Sequence, residues 1–238
     1  MQHFKKKPQL FLLHFAGGSR YSYDFMRPYL HDFEFIPIEL PGRGKRVRER
    51  LLDDFNLAAA DLFRQILERK TSCEFLIYGH SLGAIMALKL AGMFELIQEP
   101  PLYVVVSGSA GPGIADHIAS HELDKESLKT ELKNLGGLSD TFLEVEGLYN
   151  FYYPILKADF ALAKGHDFIS VPPVNVPVYA LAGREEEAAI YIDNLRNFTS
   201  SYFHAEILPG NHFFIYDHSS RIASIIKSRL TSTPPEPR

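Results

Sequence analysis

Three residue types in this chain could act together on a carbonyl group. Ser81 stands in Gly79-His80-Ser81-Leu82-Gly83, where the apolar run EFLIYG (74–79) gives way at once to an apolar helical pattern over 82–97. A serine hydroxyl is a weak nucleophile until a neighbouring base takes its proton. His212, in LPGNHFFIYD, lies between the last predicted strand and the last predicted helix, where such a base belongs when the order is serine, acid, histidine. A carboxylate must then hold the imidazole in one tautomer and stabilise its charged form. The loop that should provide it reads Gly183-Arg184-Glu185-Glu186-Glu187 and has no aspartate. One of Glu185, Glu186 and Glu187 is expected to serve, with Glu186 preferred. Glutamates at a helix start also suit the helix dipole without any catalytic duty. Asp193 is expected further on, within a helix, and is a poorer alternative.

Acyl transfer through a serine also needs donors for the developing oxyanion. The strand–turn–helix context of Ser81 directs the N–H of Leu82 to this task, because the first N–H groups of a helix have no internal acceptor. The second donor is expected after an early strand, where His14-Phe15-Ala16-Gly17-Gly18-Ser19 stands; paired glycines allow close approach, and the Ala16 N–H is the expected donor. A phosphate loop is the rival reading of these glycines, but neither Gly-Lys-Ser/Thr nor G-x-G-x-x-G follows. His14 and His80 are expected to be explained by packing or backbone hydrogen bonds. His117 and His121 have the i,i+4 spacing of a metal pair, yet no H-E-x-x-H or third ligand accompanies them, so a solvated surface and no metal site are expected.

The elements that must position these residues alternate. Apolar runs at 9–15, 33–40, 74–79, 101–109, 176–183 and 203–210 mostly lack polar alternation, as strands covered on both faces do. Between them, 56–70 places Ala59, Leu62, Phe63, Ile66 and Leu67 on one helical face, 82–97 is apolar nearly all round, and 219–230 repeats the pattern with Ile222, Ile225, Ile226 and Leu230. This rhythm predicts one α/β domain over 1–230, a mainly parallel sheet flanked by helices. From about 113 to 171 no strand pattern appears and two helical patterns do, so a helical cap insertion is expected there, rich in Phe, Tyr and Leu. Those side chains could line an acyl pocket or simply pack the cap on the body. The end, TSTPPEPR, is expected to be disordered over 231–238.

Composition narrows the partners. The 238 residues carry a formal charge of −4, which speaks against general nucleic-acid binding, and no apolar stretch reaches membrane-spanning length. The single cysteine, Cys73, excludes an internal disulfide, suits a cytoplasmic protein and is expected to be structural. The segment PGRGKRVRER (41–50) holds five cations and one anion. It reads either as a solvated basic loop or as a surface steering an acidic partner.

With these segments placed, the sequence resembles the type II thioesterases of nonribosomal peptide and polyketide synthesis, α/β-hydrolases related to the medium-chain fatty-acyl thioesterases. FAGGS (15–19), ELPGRGKR (39–46), YGHSLGA (78–84), LKNLGG (132–137), LKADF (156–160) and LPGNHFF (208–214) carry the resemblance, in order, over nearly the whole chain. It implies hydrolysis of acyl or aminoacyl thioesters from the 4′-phosphopantetheine arm of an acyl or peptidyl carrier protein, in an editing role; a monomer is expected, and the serine route needs no metal or redox cofactor. Ser81 and His212 match the catalytic positions. Where the family commonly has Gly-x-x-Asp, this chain has Gly183-Arg184-Glu185-Glu186, which aligns Glu186 with the aspartate. The same triad could instead serve an esterase or acyltransferase on a soluble substrate, and the altered acid leaves a non-catalytic carrier-binding module as a third reading.

Overall fold

The computed structural model describes residues 6–111, 124–136, 145–164 and 173–231. Six strands, β1 (Gln9–Leu13), β2 (Glu34–Ile38), β3 (Phe75–His80), β4 (Val104–Ser107), β5 (Val178–Gly183) and β6 (Phe203–Leu208), form one sheet in the order β2-β1-β3-β4-β5-β6. All five pairings are parallel. This is the architecture expected of an α/β-hydrolase. The strands are shorter than the apolar runs, and the trimmed ends carry chemistry: His14 and Phe15 leave β1, and Gly108 and Ser109 leave β4.

Every residue of β1, β3, β4 and β5 is buried, because helices cover both faces. One face packs on α1 (Phe55–Arg69) and α2 (Leu82–Leu96) through Phe11, Leu62, Ile66, Ile77, Phe94 and Val106. The other packs on α5 (Ser219–Thr231) and a 3-10 helix, Asp24–Tyr29, through Leu12, Met26, Val105, Ile222 and Ile226. The predicted face of α1 needs one correction. Leu67 is 41% exposed, whereas Gln65 is buried because its amide donates to the Glu39 carbonyl at 3.0 Å. Cys73, expected to be structural, is exposed.

Between β4 and β5 the described chain forms α3 (Lys125–Leu135) and α4 (Glu146–Lys164), within the segment expected to be a cap. Asp124 caps α3 by accepting the Ser127 N–H at 2.8 Å, and Gly136 ends it in the left-handed conformation. Leu128, Leu132, Tyr149, Leu156 and Phe160 bury one another, so these cap residues pack the cap itself. Ala16 packs against the same cluster, which sets the cap directly on the loop after β1. Of the 231–238 tail, Thr231 still belongs to α5, while 232–238 and the His117–His121 pair lie outside the described residues. Among the described residues no helix is long and apolar enough to cross a membrane.

The β3–α2 junction leaves no room for side chains at its two glycines. A Cβ on Gly79 would lie 2.0 Å from the Gly83 oxygen, and one on Gly83 would lie 2.1 Å from the Leu13 oxygen. Leu13 belongs to an inner strand and cannot retreat. Gly83→Ala should therefore destabilise the fold by about 3 kcal/mol, since overpacking against fixed backbone outweighs alanine's helix preference of about 1 kcal/mol. Gly92→Ala in the same helix meets only Val174 Cγ1, at 3.4 Å, and should be neutral or slightly stabilising. Urea unfolding of the two variants checks this contrast; equal midpoints would contradict it.

Candidate active site

Ser81 sits where the inner strand β3 becomes the buried helix α2, at φ 56° and ψ −118°. A side chain in this region stores on the order of 1–3 kcal/mol of strain, which persists only where the surroundings enforce it. Here the Ser81 N–H donates to the Ser107 carbonyl at 2.8 Å, extending the β3–β4 ladder by one residue, while its own carbonyl accepts the Ala84 N–H at 2.9 Å. Serine often uses its hydroxyl to cap a helix. Ser81 is the N-cap residue of α2, yet its hydroxyl makes no capping bond. The junction thus holds the backbone and leaves Oγ uncommitted to the helix.

His212 lies in the loop after β6, and its Nδ1 meets Glu186 Oε2 at 2.7 Å. The other carboxylate oxygen, Oε1, accepts the Gly183 N–H at 2.6 Å. Glu186 is thus fixed by the end of β5 while it grips the imidazole, and its side chain is only 6% exposed. Glu185 and Glu187 are exposed, as is Asp193, which lies in a 3-10 helix, Glu187–Phe198. Of the three glutamates, the structure brings Glu186 to the histidine. Gly108 ties His212 to the Ser81 junction: a Cβ there would lie 2.3 Å from His80 Cε1 and 3.1 Å from His212 Cε1.

His80, next to Ser81, is fully buried and packs its ring 4.8 Å from that of His212. Its Nδ1 bonds the Ser107 hydroxyl at 2.9 Å, as Tyr78 does from the other side. Burial first, and the neighbouring His212 second, hold His80 well below the ordinary imidazole range. It is a neutral wall that brings no second cation beside His212.

The N–H groups of Ala16 and Leu82 donate to no acceptor among the described residues. Ala16 approaches the junction because the chain leaving β1 runs against the start of α2, with the His14 oxygen 2.9 Å from where a Gly83 Cβ would stand. Phe15 then packs edge-on against His80 and Phe213, at 5.8 and 5.1 Å. His14 is explained by backbone bonds, as expected. Its Nδ1–H donates to the Phe15 carbonyl at 2.8 Å, and its Nε2 accepts the Leu40 N–H at 3.2 Å.

Burial, with Arg43 nearby, lowers the His14 pKa from 6.5 to about 4, while Asp159 and Glu39 oppose the shift. Between these values the unfolded chain binds a proton that the folded one refuses. The His14 contribution is therefore complete above pH 6.5 and is lost as pH falls toward 4. Roughly 2 kcal/mol should go between pH 7 and pH 5. Urea unfolding at these two pH values should show a larger loss for wild type than for His14→Asn. Equal losses would contradict the assignment.

The basic segment is not solvated throughout. Arg43 is buried against Asp159, and Arg46 pairs with Asp61 and Glu49. Lys45, Arg48 and Arg50 remain exposed. Sequence reasoning left Arg43, Asp159 and the buried Glu39 without a role. The available signal was an aspartate among buried positions of α4, between Ala158 and Phe160.

Comparison with known proteins fits this geometry. A family model described as the thioesterase domain matches residues 8–230. LgrE of Brevibacillus parabrevis, named a linear gramicidin dehydrogenase, is 27% identical, with 94% of this chain and 88% of that protein covered. RedJ, a thioesterase from the prodiginine pathway of Streptomyces coelicolor, is 27% identical with a TM-score of 0.86, covering 94% of this chain and 86% of its own. BorB, a type II thioesterase from the borrelidin biosynthetic cluster, is 26% identical with a TM-score of 0.82, covering 96% and 94%.

Proposed function

Because the chain belongs to the thioesterase domain family, we propose that it hydrolyses acyl or aminoacyl thioesters held on the phosphopantetheine arm of carrier proteins, as a type II thioesterase. One observation carries this reading: a strained serine whose hydroxyl caps nothing adjoins His80, whose ring packs 4.8 Å from that of His212, the histidine held by Glu186. The dehydrogenase name of LgrE finds no echo in this chain, whose loop after β1 lacks a dinucleotide fingerprint.

His212 takes the Ser81 proton as Oγ attacks the thioester carbonyl. Glu186 holds Nδ1–H, so that Nε2 is the basic nitrogen, and its charge stabilises the imidazolium. The N–H groups of Ala16 and Leu82 receive the oxyanion. The C–S bond then breaks, the pantetheine sulfur leaves with the proton from His212, and an acyl-Ser81 ester remains. Water, deprotonated by His212, attacks that ester and frees the acid, restoring the hydroxyl. The residues themselves supply nucleophile, base and oxyanion donors, so the route uses no cofactor.

Lys45, Arg48 and Arg50, the cations of the basic segment left exposed, suit steering of an acidic carrier protein. The enzyme acts as a cytoplasmic monomer that clears carriers bearing unwanted acyl groups. Comparing kcat/KM for carrier-bound acyl groups, the same acyl pantetheines and matching oxygen esters tests the assignment. Carrier-bound thioesters should be preferred by at least about tenfold, because remote carrier contacts add binding energy. A preference for the soluble oxygen ester would overturn it.

A further inference from the structure

Arg43 of ELPGRG and Asp159 of LKADF are 116 residues apart in sequence and meet in the interior. The guanidinium donates through both Nη atoms, at 2.5 Å to Oδ2 and 2.8 Å to Oδ1, with the side chains 4% and 0% exposed. Burying two charges costs several kcal/mol per ion after relaxation, and apolar replacements of a buried pair are often as stable. Stability alone is thus a weak reason for this pair, and a third bond supplies a better one. Asp159 Oδ2 also accepts the Gly17 N–H at 2.7 Å.

The bonds of the turn after β1 sort its amides. Gly18 N–H donates to the Phe15 carbonyl at 2.9 Å, and Gly17 N–H is held by Asp159. In a trans peptide the N–H points opposite to the carbonyl. The Phe15 oxygen is pinned from two sides, by Gly18 N–H and His14 Nδ1–H, so the Ala16 N–H must point the other way. Glu39 closes the far end by accepting the N–H groups of Arg20 and Lys45, each at 2.9 Å. From α4, Leu156 presses on the same turn, its Cδ2 2.7 Å from where a Gly17 Cβ would stand.

We propose that the buried Arg43–Asp159 pair is a positioning device for the oxyanion: it captures Gly17 N–H and fixes the turn so that Ala16 N–H is the amide left to face the transition state. The inference rests on the serine mechanism above. It makes α4 a structural part of the catalytic site, because the carboxylate that sets the turn is carried by the cap helix.

Asp159→Asn tests it, since an amide can accept from Gly17 only by turning its NH2 toward the Arg43 donors. R43M/D159L is the companion variant, with apolar packing in place of the pair and no acceptor for Gly17. Both are compared with wild type by steady-state thioester hydrolysis and by the rate of Ser81 labelling with a fluorophosphonate, in which an Oγ–P bond forms as fluoride leaves. For each variant that remains folded by circular dichroism, kcat and the labelling rate should fall about 10- to 100-fold, with KM within about threefold of wild type. Folded variants with unchanged kcat and labelling, or a loss confined to KM, would overturn the proposal. Labelling also separates the two readings. A wild type that labels at Ser81 yet spares thioesters would refute the substrate assignment, and the labelling rates alone would then decide the positioning role.

Discussion

Ser81→Ala should lower kcat for thioester hydrolysis by about 10⁴- to 10⁶-fold while leaving the fold intact. The magnitude follows from what disappears. Without Oγ no acyl-enzyme forms, and the rest of the site can only orient water, which in enzymes of this logic retains a small part of the acceleration. The fold should survive because the bonds that shape the junction come from the Ser81 backbone, its N–H to Ser107 and its carbonyl to Ala84. Alanine loses no capping bond, since the hydroxyl makes none. Binding of acyl carrier should also persist. A kcat within about tenfold of wild type would mean that the nucleophile lies elsewhere.

Glu186→Gln should reduce kcat by about 10³- to 10⁴-fold. The amide oxygen would keep the Gly183 N–H, which Oε1 accepts at 2.6 Å, and turn its NH2 toward Nδ1 of His212. Facing a donor, the imidazole must place its proton on Nε2 and can no longer receive one from Ser81 at that nitrogen. The mutation therefore changes a tautomer rather than a shape. Glu185→Gln and Glu187→Gln are the controls. Both side chains are exposed, and their loss should cost no more than about threefold. Steady-state kinetics of the three variants decides the matter, and a large loss at either control with Glu186→Gln unaffected would move the acid.

The legible part of this protein was local in sequence. Ser81 could be read because a fully buried strand, two glycines and an apolar helix adjoin it, and His212 because strand, loop and helix succeed one another around it. Glu186 remained one of three because the side chain that turns inward is chosen by two bonds, to Gly183 and His212, that no pattern of three glutamates displays. Arg43 was the larger surprise. Within PGRGKRVRER it looks like one more solvated cation, and only the fold brings Asp159 to it. Leu67 and Gln65 depart from the helical pattern for a similar reason, since the Glu39 carbonyl that accepts from Gln65 lies just beyond β2, outside α1.

The motifs behind the family resemblance gain a physical meaning from the same contacts. ELPGRG supplies Glu39 and Arg43, LKADF supplies Asp159, and all three hold the turn that bears Ala16. LKNLGG ends α3 at Gly136, where a Cβ would lie 2.6 Å from Asn211 Nδ2, beside His212. Stretches scattered over more than a hundred residues of sequence thus converge on one loop and its neighbours.

The most direct test of the thioesterase assignment is the mass of an acyl carrier protein after incubation with the wild-type enzyme and with Ser81→Ala. The account predicts that wild type returns the carrier to its free-thiol holo form while the alanine variant leaves the acyl group in place. An acyl carrier that survives the wild type, or one that Ser81→Ala clears equally fast, would contradict it.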